Sequence, residues 1–373
     1  MIYFDNAATS LYKPKEVKNA VVYAINNLTA NPGRSGHDLS LQVSNMVFET
    51  REVLKKFFNA ENYNVIFTKN CSEALNLAIF GTLKNGDHVI TSCYEHNSVL
   101  RPLKELEKNG VEVSIIDCDL KDFHKVLEEN IRENTKLVIT THVSNVTGDM
   151  TDIKSVGKIC KLHGIRYLVD GAQSSGHLRI DICNSDVDMF AFAGHKGLMS
   201  ITGVGGIIVK NGLKLKPLIY GGTGTESGNL IQPEDFPEGF EAGTVPTISI
   251  ASLKSGVEFL IKNFSKIEKI EENLAKYIKN ELKNIKFLKI YSNIDSKNVF
   301  CFNFENVSSN KIADILNEKY NICVRAGLHC APLVHKKLNT LQTGAVRVSL
   351  DFFNTRNEID KLIIALKEIS LLL

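Results

Sequence analysis

Leu168-Val169-Asp170-Gly171-Ala172-Gln173 and, further along, Gly194-His195-Lys196 are the stretches from which the rest of the chain can be read. Asp170 closes an apolar run (Ile165, Tyr167, Leu168, Val169), which predicts an aspartate at the C-terminal mouth of a parallel strand, where α/β folds bind ligands. Lys196 follows a second apolar run (Val187, Met189, Phe190, Ala191, Phe192, Ala193) that also reads as a buried strand. A carboxylate that keeps a pyridinium nitrogen protonated and a lysine that forms a Schiff base are together what a pyridoxal 5′-phosphate (PLP) ring needs. Both groups would sit at one sheet edge.

Around this pair, strands are expected at 65–68, 87–91, 111–116, 137–143 and 204–209, with amphipathic helices at 14–28, 39–58 and 153–163. Strands alternating with helices imply an α/β fold with a mainly parallel sheet covered on both faces. From about residue 248 the composition turns to Lys- and Glu-rich amphipathic helix, expected as two segments, 248–263 and 267–282. Strands at 299–304, 322–325 and 345–350 and helices at 311–320 and 356–372 then make a compact α+β unit. The expected division is a large domain over 13–247 and a smaller one over 248–373, with residues 1–12 packing on the latter.

Composition narrows the function. The 373 residues are 43% hydrophobic and 23% charged, ordinary for a globular protein with a large core. Lys plus Arg number 44 against 42 Asp plus Glu, so no overall field draws the chain to nucleic acid or to an anionic membrane surface, and a small-molecule substrate fits better. No apolar run reaches the roughly 18 to 20 residues of a membrane span, and the opening Ile2-Tyr3-Phe4-Asp5 lacks a secretory pattern, so a cytoplasmic location is expected. Eight cysteines lie scattered without a Cys-x-x-Cys pair, which argues against a zinc site and against a disulfide framework; no metal is expected.

Several local patterns carry chemistry. Asn70-Cys71-Ser72-Glu73 reads as the turn and start of a helix, whose free N–H groups and Ser72 hydroxyl make a phosphate cradle, with Ser72 as a simple N-cap the plainer reading. Gly203, Gly205 and Gly206 read as turn glycines, and Gly221 to Gly228 as a flexible lid or a source of phosphate donors. Cys330 lies in a glycine-containing loop with Arg325 and His329 close by, positive neighbours of the kind that expose a thiolate. Arg347 alternates with apolar residues in Ala-Val-Arg-Val-Ser and would point into the cleft, where its fork of donors could hold a carboxylate bidentately.

The chain resembles the class V aminotransferase-like branch of fold-type I PLP enzymes, and within it the cysteine desulfurase and selenocysteine lyase group of Suf type. The resemblance runs in order through Phe4-Asp5-Asn6-Ala7-Ala8-Thr9, Glu95-His96, Ser144-Asn145, Val169 to Gln173, Gly194-His195-Lys196, Phe240-Glu241-Ala242-Gly243-Thr244 and Arg325 to Pro332. It implies that Lys196, Cys330 and His96 are catalytic, with His96 stacking on the ring. It implies that Ser72, Asn145, Asp170, Gln173, His195 and Thr244 bind the cofactor, Thr244 from the other subunit of a homodimer. Arg347 and Asn145, together with Arg34 and His37 from the partner-reaching loop 31–37, would bind substrate. One departure stands out: Ala193 occupies a position where many desulfurases carry a phosphate-donating serine.

The implied reaction converts L-cysteine to L-alanine, leaving a persulfide on Cys330 for a reductant or a sulfur-acceptor protein, as in iron–sulfur cluster assembly. L-Selenocysteine is the alternative substrate. A PLP-dependent C–S β-lyase or racemase of the same branch would need Lys196 and Asp170 but not Cys330, and a non-catalytic scaffold would need none of them.

Overall fold

The computed structural model describes residues 1–33, 36–293 and 296–372. Strands β1 (Ile2–Tyr3), β2 (Tyr63–Thr68), β3 (His88–Ser92), β4 (Glu112–Ile116), β5 (Thr135–Thr141), β6 (Arg166–Asp170), β7 (Met189–Ala193) and β8 (Gly205–Lys210) follow in chain order. All but β1 form a seven-stranded sheet in the order β2-β8-β7-β6-β5-β3-β4, with β8 antiparallel to both of its neighbours and the other pairs parallel. The near-continuous apolar runs follow from burial on both faces. Leu168, Met189 and Ala191 pack with helices Cys71–Thr82 and Asn97–Glu107, while Tyr167, Val169, Phe190 and Phe192 pack on the opposite side with helices Asp38–Phe57 and Ile153–Leu162.

Two glycines expected in a turn belong instead to β8. A side chain at Gly205 would stand 2.6 Å from the Asn70 carbonyl carbon and 2.8 Å from the Cys71 nitrogen, so its absence lets the strand lie directly against the start of helix Cys71–Thr82. That contact fixes one wall of the site described below.

The segments 248–263 and 267–282 are a single 36-residue helix, Thr247–Leu282. No Gly or Pro interrupts it between 257 and 282, and Leu260, Phe264, Ile267 and Leu274 keep one helical phase through the polar stretch that suggested a break. Its first half (Ile250, Leu253, Val257, Leu260, Ile267) joins the core of the large sheet, and its last turns (Leu274, Ala275, Ile278, Leu282) join a second core. We therefore propose that the division between the two units runs inside this helix rather than at 248.

The second core lies on a sheet of order β12-β13-β10-β9, built from β9 (Leu288–Ile290), β10 (Val299–Phe304), β12 (Arg325–Gly327) and β13 (Ala345–Ser349). The expected strand 322–325 is divided: β11 (Ile322–Cys323) pairs in parallel with β1, and the chain then turns at Val324 so that β12 pairs with β13. Ile2 and Phe4 are buried in this second core, and the residues after them reach back to the large sheet, where Ser10 Oγ donates to the His195 and Lys196 carbonyls at 3.1 Å each.

Behind that reach lies a buried ionic cluster. His177 Nδ1 is 2.9 Å from Glu271 Oε1 on the long helix, and a side chain on Gly197 would stand 2.8 Å from His177 Nε2, so the ring presses on the residue after Lys196. Burial works against the charged imidazole, but the Glu271 carboxylate outweighs it and holds the His177 pKa above its ordinary value. A raised folded-state pKa stabilises below the unfolded value of about 6.5, and that stabilisation is lost as pH rises through the folded value. Glu271→Gln is thus expected to destabilise the fold by roughly 2 kcal/mol below pH 6 and by clearly less at pH 8.5. Thermal melts at both pH values check this, and an equal loss at both would contradict the pairing.

Candidate active site

Six of the residues singled out in the sequence, Ser72, His96, Asn145, Asp170, Gln173 and Lys196, line one pocket with about 380 Å³ of empty space. It lies at the C-terminal ends of β3, β5 and β6, closed on one side by the start of helix Cys71–Thr82. Asp170, the last residue of β6, is 5% exposed, and its Oδ1 accepts from Ala172 N at 2.9 Å and from Cys71 Sγ at 3.6 Å. Lys196 lies in the turn three residues after the end of β7, the strand next to β6. Burial lowers its pKa, against the opposing attraction of Asp170, so its amine loses a proton more readily than a surface lysine. Among the described residues no ion pair joins Asp170 to Lys196, although the Asp170 charge acts on Lys196; both line the same pocket.

The other four residues flank that space. His96 caps helix Asn97–Glu107, its Nδ1 accepting from Ser98 N at 3.0 Å, and burial lowers its pKa so that the ring is neutral. The N-cap of helix Cys71–Thr82 is Asn70, which accepts from Glu73 N at 2.9 Å; this leaves the Ser72 hydroxyl free of the capping role, 2.6 Å from the Ser98 hydroxyl. The two hydroxyls and the helix start offer anion donors that Ala193, buried at the end of β7, does not. Gln173 Nε2 donates to the Ala7 carbonyl at 3.0 Å, and Asn145 Nδ2 donates to the His329 carbonyl at 2.7 Å.

Cys330 is exposed on the loop after β12, and its carbonyl accepts from Asn97 N at 2.7 Å, which ties the cysteine to the residue following His96. His329 and Cys330 both hold left-handed backbone, φ +48° and +58°, a conformation costly for residues with a Cβ and maintained here by the Asn97 and Asn145 bonds and by His329 Nε2 to Ala345 O at 3.1 Å. His329 is not the positive neighbour its place in the sequence suggested. Burial, reinforced by the Arg347 charge, pushes its pKa down to about 2, and the ring is neutral. Arg325 supplies positive field to Lys196 and His96.

Arg347 departs from expectation as well. It is 2% exposed, and its fork is already engaged: one terminal nitrogen donates to the Asn145 carbonyl at 3.0 Å and the other to Asp5 Oδ1 at 2.8 Å, while Nε has no partner. A guanidinium so deeply buried needs such a carboxylate. Asp5 was not anticipated as its counter-ion because 342 positions separate the two; the only signal was its place in the Phe4-Asp5-Asn6 motif.

The remaining residues are not gathered into this pocket within one chain. His195 has its Nδ1 3.1 Å from the Thr9 hydroxyl, and burial pushes its pKa to about 4. Thr244 is exposed in a separate groove beside Phe67, Thr68 and Glu241. His37 caps helix Asp38–Phe57, its Nδ1 accepting from Ser40 N at 3.1 Å, and Arg34 lies outside the described residues.

Residues 2–362 match the aminotransferase class-V family. The chain belongs to that family. A probable cysteine desulfurase of Methanothermobacter thermautotrophicus is 34% identical, with the alignment covering 99% of this chain and 94% of the relative. Another, from Pyrococcus abyssi, is 35% identical over the same shares. Among solved structures, the apo cysteine desulfurase of Thermococcus onnurineus superposes with a TM-score of 0.90 at 32% identity, covering 100% of this chain and 95% of that one.

The class-V fold is that of fold-type I PLP enzymes, and PLP is the cofactor of this family. The pocket of this class-V chain fits the group. A buried carboxylate with one oxygen uncommitted and a half-buried lysine face the same space without pairing to each other, and a helix start with two hydroxyls stands beside them.

Proposed function

We propose that this chain is a PLP-dependent cysteine desulfurase that takes the sulfur of L-cysteine onto Cys330 and releases L-alanine. The observation that carries the reading is Cys330 itself: an exposed thiol on a pinned, left-handed loop whose carbonyl accepts from Asn97 N, the residue after the pocket-lining His96. Curated relatives named cysteine desulfurase and a solved desulfurase with the same fold support it.

Bound PLP supplies an electron sink for charge developing at the substrate's α-carbon. The chain's residues do the rest. Asp170 would hold the ring nitrogen's proton through its uncommitted oxygen, and Ser72 with the helix start would hold the phosphate. The substrate carboxylate takes the Arg347 fork by displacing Asp5, using the unpartnered Nε and the terminal nitrogen that Asp5 now occupies. Lys196 Nζ, its proton loosened by burial, takes the proton from the α-carbon. The Cys330 thiolate attacks the substrate sulfur: a new S–S bond forms, the C–S bond breaks, and its electron pair stays on the β-carbon, which is then protonated to alanine. Neutral His96 lines the same pocket as Lys196, and because its Nδ1 accepts from Ser98 N its Nε2 carries the ring proton and can donate it there. A thiol reductant or a sulfur-acceptor protein then clears the persulfide.

The test is to incubate the PLP-bearing protein with L-cysteine and quantify products. Alanine and reducible sulfur should appear in equal amounts; pyruvate and sulfide in place of alanine would give the site to a β-lyase. The working form is proposed to be a homodimer, because Thr244 and His37 lie outside the pocket of their own chain and would serve the partner's. Exposed apolar side chains on the first two long helices, Val22, Tyr23 and Ile25 with Leu41 and Phe48, are consistent with a buried mutual face. Light scattering should return twice the 41.5 kDa chain mass. A fully active monomer would overturn this.

A further inference from the structure

Cys71 is the pocket residue to which the mechanism above gives no task. It opens helix Cys71–Thr82, is 8% exposed, and places its sulfur 3.6 Å from Asp170 Oδ1, within reach of an S–H donor. The same oxygen receives Ala172 N at 2.9 Å, whereas Oδ2 makes no hydrogen bond among the described residues. The thiol's aim is not accidental to its helix. The close approach of Gly205 to the Asn70 and Cys71 backbone fixes where the helix begins, and the Asn70 cap fixes its direction.

We propose that Cys71 is a positioning residue for the cofactor: its S–H donates to Asp170 Oδ1, sets the plane of that carboxylate, and leaves Oδ2 as the oxygen presented to the PLP ring nitrogen. The inference rests on the pocket being a PLP site, as read above, but on nothing about the substrate.

The chemistry favours a thiol that donates rather than one that reacts. Burial, and then the Asp170 charge, raise the Cys71 pKa well above that of a free cysteine, so it remains S–H at any working pH. Cys330, by contrast, is exposed on its loop. A donor on an ionised carboxylate lowers its basicity, so the proton shared between Asp170 and the ring stays on the ring nitrogen, where it is needed for electron withdrawal. The charged and titratable groups that act on this spot are Lys196, His96 and Glu95, with Arg325 and Arg347 acting through Lys196. None of them occupies Asp170 Oδ1. Two donors on one oxygen also hold the carboxylate against rotation, which a single backbone N–H does not.

The experiment compares wild type, Cys71→Ala and Cys71→Ser, each loaded with PLP and free of substrate. The first readout is the pH midpoint of the cofactor's visible absorption band, and the second is the PLP dissociation constant on reconstituting the apo-protein. With the donor removed, the ring nitrogen holds its proton less firmly and withdraws less charge, so Lys196 Nζ keeps its own proton to higher pH. Cys71→Ala should raise the midpoint by about one pH unit and weaken PLP binding about tenfold. Cys71→Ser, which restores an O–H donor, should recover most of both, and melting temperatures show that all three are folded. An unchanged midpoint and affinity in Cys71→Ala would overturn the inference. So would equal shifts in Ala and Ser, which assign the effect to packing. A wild type that takes up no PLP would overturn the site and this inference together, whereas the expected shift without alanine from L-cysteine would overturn only the desulfurase reading.

Discussion

Lys196→Ala should reduce alanine formation from L-cysteine by on the order of 10³-fold or more, because one amine is asked both to anchor the cofactor covalently and to move the α-proton. The geometry explains why no neighbour can take its place. Within the pocket the other nitrogen bases are His96, whose Nδ1 is committed to Ser98, and the amides of Asn145 and Gln173, which do not ionise. The guanidinium fork of Arg347 is already engaged with Asp5 and the Asn145 carbonyl. The variant should still bind PLP, through Asp170 and the donors at the start of helix Cys71–Thr82, but dialysis should now remove it. Steady-state alanine assays and the absorbance of the dialysed protein check the two halves of the prediction. Substantial turnover by the variant would remove Lys196 from the mechanism, and PLP that resists dialysis would show a covalent link elsewhere.

The Asp170 and Lys196 pair was legible in the sequence because Asp170 closes one mainly apolar run and Lys196 stands three residues after the end of another. A polar group closing a strand that is buried on both faces has to emerge at the sheet's C-terminal edge, and two strands adjacent in the sheet bring two such groups together. Contacts without a local signature were not legible. Asp5 and Arg347 meet only because β1 and the residues after it lie along the small unit, with Asp5 bridging to Ser349 two places beyond Arg347. Cys71 reads in sequence as one more small buried residue, and only the placement of its helix start against Gly205 aims it at Asp170. His329 misled for a related reason. Sequence proximity to Cys330 says nothing of burial, and burial is what strips the imidazole of its charge. The long helix was divided at a polar stretch because local composition cannot show that both halves are buried, each against a different core. Thr244 and His37 are not among the residues that line the pocket of their own chain, so the structure of one chain leaves their role to the proposed dimer.

Cys330→Ala decides between sulfur transfer and simple elimination. The substitution should leave the cofactor site intact, since Cys330 lines none of the pocket that holds Asp170 and Lys196, and PLP affinity should stay within about twofold of wild type. Alanine production from L-cysteine should fall on the order of 10²-fold or more, the usual consequence of losing a covalent nucleophile. The backbone tie from Asn97 N to the residue 330 carbonyl does not involve the side chain, so the loop has the means to keep its path. The left-handed φ of +58° is no worse for alanine than for cysteine, and a melting temperature close to wild type should confirm that the fold is unchanged. Mass spectrometry of the wild type after brief exposure to L-cysteine should find one extra sulfur on Cys330. Cys71, Cys93, Cys160 and Cys301 are buried, with burial raising each thiol pKa, and they should carry none. If the variant makes alanine at the wild-type rate, or the extra sulfur lies on another cysteine, Cys330 is not the acceptor. Pyruvate and sulfide at the wild-type rate would hand the pocket to a β-lyase. Activity surviving toward L-selenocysteine alone would identify a selenocysteine lyase, because the weaker C–Se bond can break without a thiol to receive the atom.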